Sequence, residues 1–260
     1  MEKYILGVDA AWSDKNPSGV ALLKWSHNSV PELIKAGRSY DEFCDSEKIV
    51  WQNRVNGSIP KFSNIIKCCP RVDLVALDIP LSPSPITHRR KADQDISHEY
   101  GKKKASTHSP SPERPGVIAI NIFKQLIELD FTWATDYMQT PAFIEVYPHV
   151  AIIELFGCEE RFQYKVQKKA KYWPGDSPEK RSRKIICNLN ELRNKIASVV
   201  TGIEQFLPQL EPTNYYSIKC LKGYEDLLDA VLSALVGCNF LEEKAEPFGD
   251  QTGVIWVPKS

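Results

Sequence analysis

The sequence has no surplus of charge: 33 Lys and Arg stand against 33 Asp and Glu in 260 residues. Nothing global therefore draws the chain to a polyanion, and any such attraction must come from local patches. It has no C-x-x-C pair. The seven cysteines (Cys44, Cys68, Cys69, Cys158, Cys187, Cys220 and Cys238) are odd in number and scattered, which excludes a disulfide framework and argues against structural zinc. Reduced, mostly buried thiols are expected. The longest apolar runs, such as Val117 to Phe123, fall far short of the ~20 residues that cross a bilayer. Met1-Glu2-Lys3 leads straight into a short strand, with no apolar stretch of signal-peptide length. A cytoplasmic protein without a membrane partner is the expectation. No Gly-x-Ser-x-Gly elbow is present, so a serine-nucleophile hydrolase lacks support.

What is present is a run of strand signals followed by helices. Tyr4 to Val8 and Val20 to Trp25 are apolar runs separated by the turn residues Asn16-Pro17-Ser18-Gly19, and a third candidate covers Glu32 to Arg38. Three strands this close predict an antiparallel meander. Residues 41–68 look helical but broken by Gly57 and Pro60. Val72 to Ile79 and Ala142 to Tyr147 read as strands buried on both faces. Helices are predicted at Val117–Leu129, His149–Phe156, roughly Glu179–Phe206 and Tyr224–Glu242, and a closing edge strand at Gly253–Val257. The pattern is α/β with a mixed sheet in a single domain over 1–260. Residues 80–116, with six prolines and several basic side chains, read as a lid or insertion. Residues 157–220 read as a helical, basic insertion.

Carboxylates stand where apolar strands do not need them. Asp9 closes one strand on the face of Ile5 and Gly7; Asp78 closes another on the face of Leu74 and Ala76. Glu145 ends a third. Asp226 and Asp229 share one face of an otherwise apolar last helix. Taken singly, each has a plain explanation: a turn former, a helix cap for Asp226, a structural ion pair for Glu145. If they converge, two like charges 4 Å apart repel by ~4 kcal/mol at an effective dielectric of 20. Such a cluster must bind a cation, pair with Lys or Arg, or hold protons. Oxygen-only ligands favour Mg²⁺ or Mn²⁺ over zinc.

Gly7-Val8-Asp9-Ala10 before a hairpin, Asp78-Ile79-Pro80-Leu81-Ser82, Glu145-Val146-Tyr147-Pro148-His149 and Asp226-x-x-Asp229-Ala230 together resemble the family catalogued as domain of unknown function 429. Its members are regarded as predicted nucleases of the ribonuclease H-like fold. The resemblance covers roughly residues 3 to 240. It implies a five-stranded mixed sheet, three antiparallel strands then two parallel, with flanking helices. It also implies two divalent ions, Mg²⁺ or Mn²⁺, held by Asp9, Asp78, Asp229 and Asp226. Glu145 is a family feature and a further catalytic candidate. Asp78 departs from the resolvase-like members, which usually carry Glu there.

Arg161 to Lys184 holds nine basic residues against Asp176 and Glu179, with Tyr164, Tyr172 and Trp173 interleaved. Basic side chains contact phosphates and aromatic rings stack on unpaired bases. Arg161, Lys165, Lys168 and Lys169, with Arg89 and Arg90 from the Pro-rich segment, are the candidate nucleic-acid contacts. A solvated helix face is the alternative. His88, His98 and His108 recur every ten residues without an element to align them, and His149 is expected to be buried and hydrogen-bonded. The leading expectation is a metal-dependent nuclease acting on DNA or RNA. The alternative is a non-catalytic nucleic-acid-binding or interaction module with the same fold. A phosphotransferase of the actin-like ATPase fold would need a duplicated domain, and no second Gly-x-Asp hairpin occurs.

Overall fold

A computed structural model describes residues 1–45 and 48–259. Residues 46 and 47, inside the stretch expected to be helical, lie outside the described residues. The strands are β1 (Glu2–Asp9), β2 (Gly19–Ser26), β3 (Glu32–Gly37), β4 (Leu74–Leu77), β5 (Thr132–Trp133), β6 (Ala142–Val146), β7 (Ala245–Asp250) and β8 (Gly253–Pro258). The helices are α1 (Tyr40–Asp45), α2 (Phe62–Lys67), α3 (Lys91–Tyr100), α4 (Val117–Glu128), α5 (Pro148–Phe156), α6 (Lys169–Tyr172), α7 (Pro178–Ala197), α8 (Ile203–Phe206) and α9 (Ile218–Leu241), with a 3₁₀ turn at Val166–Lys168.

The strands form one mixed sheet in the order β3-β2-β1-β4-β6-β8-β7, with β5 beside β6. β1, β2 and β3 are the expected antiparallel meander, and β4 and β6 run parallel to β1. The sheet does not stop at five strands. β8 pairs parallel with β6, and β7 closes the edge antiparallel to β8. The last strand is therefore interior rather than an edge. Its six residues are all buried, whereas β7 (Ala-Glu-Pro-Phe-Gly-Asp) carries the proline and acids that an edge tolerates.

Strand alternation divides the core into two faces. Ile5, Ala21, Leu23, Leu74, Ala76 and Ile144 point toward α9, α7 and α5. Leu6, Val8, Leu22, Val75, Leu77 and Phe143 point to the side covered by α1, α2 and α4. α9 lies along β1, β2 and β4 and is buried from Gly223 to Cys238. Two glycines let it come that close. A Cβ on Gly7 would lie 2.0 Å from the Ala230 carbonyl oxygen, and one on Gly19 would lie 2.1 Å from that of Asp226.

The Pro-rich segment is not a free lid. α3 occupies its centre and packs Ala92, Ile96 and Tyr100 against Ile255 and Val257 of β8. Nor are the thiols mostly buried: Cys238 is buried, Cys187 is exposed, and the other five are intermediate. No helix of the described residues is long and apolar enough to cross a membrane.

Adding a methyl group at Gly7 or Gly19 must push α9 off the sheet. Gly7→Ala and Gly19→Ala are each expected to lower unfolding free energy by about 3 kcal/mol or more. Urea titration followed by circular dichroism measures this; a loss below about 1 kcal/mol would show that the close approach is not required.

Candidate metal centre and active-site cleft

The two faces decide which acids can meet. Asp9 and Asp78 follow the parity of Ile5 and Leu74, so both turn toward α9 at the carboxyl ends of β1 and β4. Parallel pairing keeps the two ends level, and the Asp78 N–H donates to the Val8 carbonyl at 2.9 Å. α9 begins at Ile218 with Ser217 as its N-cap, accepting from the Cys220 N–H. Asp226 is thus more than two turns inside the helix, and capping does not explain it. Asp226 and Asp229, three residues apart, present their carboxylates to the sheet end. One oxygen from each of Asp9, Asp226 and Asp229 lies within 4.8 Å of the other two. Asp78 is outside that trio but belongs to the same charge cluster, since Asp9 and Asp229 both act on its carboxyl group.

Glu145 lines the same cleft and adds to the charge acting on Asp78, but it leaves its strand on the opposite face of the sheet. It alternates with Ile144 and shares the parity of Phe143, so it faces away from α9. There Arg90 grips it with two hydrogen bonds, Nη1 to Oε2 at 2.7 Å and Nη2 to Oε1 at 2.6 Å. Arg90 also reaches Asp93 at 3.0 Å and the Leu81 carbonyl at 2.8 Å, and the Leu81 N–H donates to Glu145 at 2.7 Å. This buried triad bolts residues 81–93 to β6. Arg90 is withdrawn from solvent and is not a phosphate contact. Arg89 is likewise occupied, bonded to Ser109, Ser97 and the Asp93 carbonyl.

Two lysines enter the acidic cluster. Lys165 pairs with Asp229 and, at 3.3 Å, with Glu225; Lys222 pairs with Asp226 and, at 2.9 Å, with Glu225. Tyr164, fully buried, donates to Asp229 at 2.5 Å, so this ring is core and not a platform for bases. Glu225 also accepts from the Val166 N–H at 2.6 Å, which ties the 3₁₀ turn to α9. Sequence reasoning did not single out Lys222 and Glu225; the placement of Lys222 three and four residues before Glu225 and Asp226 was the available signal. Lys169 bonds to Ser182 at 3.0 Å, while Lys168 faces the cleft.

Among the described residues, the carboxylates of Asp9, Asp78, Glu225, Asp226 and Asp229 are ion-paired only with the ammonium groups of Lys165 and Lys222. Burial, opposed by Lys222 and reinforced by Asp9, raises the Asp226 pKa well above the carboxylate range. Burial also raises Asp78, with Asp9 adding to it, and brings Asp229 up to about 6 against the pull of Lys165. Burial works against the Lys165 ammonium, but Asp229, Tyr164 and Glu225 outweigh it and hold its pKa well above the lysine value. Among the described residues, the carboxylates of Asp9 and Asp78 have no ion-pair partner.

The site opens into a cleft of about 900 Å³ lined by Asp9, Asp78, Asp226, Arg161, Lys168 and His149, among others. A family profile described as a protein of unknown function (DUF429) matches residues 7–252. The chain belongs to this family. No curated protein and no solved structure matches it. The matched span includes Asp9, Asp78, Glu145, Asp226 and Asp229, and thus both the acidic cluster and the Arg90 bolt.

The raised Asp229 pKa fixes the sign of a pH effect. Between the ordinary aspartate value and about 6, the folded state holds a proton that the unfolded state has lost, so stability falls as pH rises. With chelator present, the stability of the wild type relative to Asp229→Asn should fall by about 3 kcal/mol between roughly pH 4 and pH 7. Urea titrations across that range test it; a constant difference would contradict the raised value.

Proposed function

We propose that the cleft is the active site of a metal-dependent phosphodiesterase with a ribonuclease H-like core, acting on DNA or RNA. The observation that carries this reading is the approach of Asp9, Asp226 and Asp229 oxygens to within 4.8 Å of one another. The donor set fits Mg²⁺ or Mn²⁺: it is oxygen only, it is short of positive charge, and Asp9 reaches it without a competing ion pair. Asp9, Asp226 and Asp229 would hold the ion, with Asp78 available to a second. Bound there, divalent ions supply an activated water on one side of a phosphodiester and stabilise the leaving oxygen on the other. The order β3-β2-β1-β4-β6, antiparallel then parallel, supports the ribonuclease H-like core, which β8 and β7 extend.

The chain's own residues position these groups. Tyr164 and Lys165 orient the Asp229 carboxylate, and Glu225 holds Lys165 and Lys222 in place. Arg161 and Lys168 line the cleft where a phosphate backbone would enter. Glu145 acts through the Arg90 triad as a positioning residue: it fixes the chain after Asp78.

A second reading, a module that binds nucleic acid without cutting it, draws support from the lysines already seated on Asp226 and Asp229. The two readings separate in one assay. Under the first, single-stranded DNA or RNA is cut only with Mg²⁺ or Mn²⁺, and Asp9→Asn lowers the rate by about a hundredfold or more, the loss expected when several kcal/mol of charge stabilisation go. Binding without cleavage by both proteins would favour the module.

A further inference from the structure

We propose that Arg161, Lys168 and His149 form a seat for a phosphate group in the cleft, specific for the phosphorylated end of a nucleotide or short strand. This rests on the preceding reading only for the bond that lies beside the seat. Of the Lys and Arg that line the cleft, Lys165 is engaged by Asp229, Lys222 by Asp226 and Arg38 by Glu42, while Lys15, Arg54 and Lys219 are exposed to solvent. Among the described residues, Arg161 and Lys168 have no carboxylate partner. Arg161 acts on Lys168 as a like charge, more strongly than Glu225 opposes it, and an anion between the two relieves that repulsion.

The histidine adds an independent sign. His149 is 4% exposed, and Arg161 Nη2 donates to its Nε2. A guanidinium has only donors, so Nε2 must accept, and the neutral ring carries its proton on Nδ1. That Nδ1 is buried without a partner, and so is Arg161 Nε. Two donors without an acceptor, on two side chains that line the cleft, fit a ligand that brings acceptor oxygens. Burial first, then the charges of Lys165, Arg161 and Lys168, hold His149 well below the ordinary histidine pKa. Burial, then Arg161 and Lys165, bring Lys168 down to about 8.

Size and lining narrow the ligand. About 900 Å³ lies in the range of small-molecule sites, which suits a nucleotide or a strand end better than a duplex laid across a surface. A phosphomonoester is nearly a dianion at neutral pH, so it satisfies unpaired cations better than an internal diester. Trp12, half-buried, lines the same cleft and offers a face on which a base can stack.

Isothermal titration in chelator, where no cleavage occurs, tests the seat directly. The probes are a 5′-phosphorylated dinucleotide, its 5′-hydroxyl counterpart and inorganic phosphate as competitor. The wild type should bind the phosphorylated form about tenfold or more tightly than the hydroxyl form, and inorganic phosphate should displace it. Lys168→Gln and Arg161→Gln should each abolish that preference, whereas Lys67→Gln, an exposed change on α2 outside the cleft, should keep it. Circular dichroism confirms folding of each variant, and Lys168 is the safer of the two, because Arg161 also donates to the buried His149. Equal binding of the two dinucleotides by the wild type, or a preference unchanged in folded Lys168→Gln, would overturn the seat. Metal-dependent cleavage with no phosphate preference would sink the seat and leave the phosphodiesterase; a phosphate preference without cleavage would do the reverse.

Discussion

Mutual repulsion among carboxylates organises one end of this sheet. Asp9 and Asp78 arrive on parallel strands whose ends are level, and Asp226 and Asp229 arrive on a helix that glycines allow to press against them. At an effective dielectric of 20, each close pair costs ~4 kcal/mol. Lys165 and Lys222 offset part of that cost, protons on the raised carboxyl groups offset more, and a divalent ion would replace both. The rest of the site follows from this balance. Tyr164, Glu225 and the 3₁₀ turn hold the lysines and the Asp229 carboxylate against α9.

A second charge network has a different task. Arg90, Asp93 and Glu145 are buried and mutually satisfied, with backbone groups of Leu81 completing the set. Removing one partner of such a network leaves an uncompensated buried charge, which costs about 3–5 kcal/mol. It fastens the chain that follows Asp78 and so keeps that carboxylate beside Asp9. The molecule thus sets beside one cleft an acidic cluster with few ion pairs and a second network that is closed, whose Glu145 still acts on Asp78.

Much of this was legible in the residues. The period-2 pattern of β1 and β4 puts Asp9 and Asp78 on one face, and the spacing of Asp226 and Asp229 puts them on one side of a helix. The same rule, applied to Phe143-Ile144-Glu145, puts Glu145 on the opposite face of the sheet, at the end where it still lines the cleft. The start of α9 was not legible at Tyr224, because Ser217 caps the helix seven residues earlier and Gly223 reads as a breaker although it is helical. Arg90 was hidden for another reason: a basic residue in a Pro-rich segment looks solvated, and only tertiary pairing with Glu145 buries it. β8 carried a continuous apolar run, the mark of an interior strand, and its neighbour β7 supplied the edge.

The central claim is that the acidic cluster is a divalent-cation site. Anomalous diffraction from crystals grown with Mn²⁺ above about pH 7, where Asp229, raised to about 6, gives up its proton, tests it most directly. The claim predicts a Mn²⁺ peak bounded by Asp9, Asp226 and Asp229, with the Lys165 ammonium displaced from Asp229. No peak at that position, with Lys165 and Lys222 still paired to their aspartates, would contradict it.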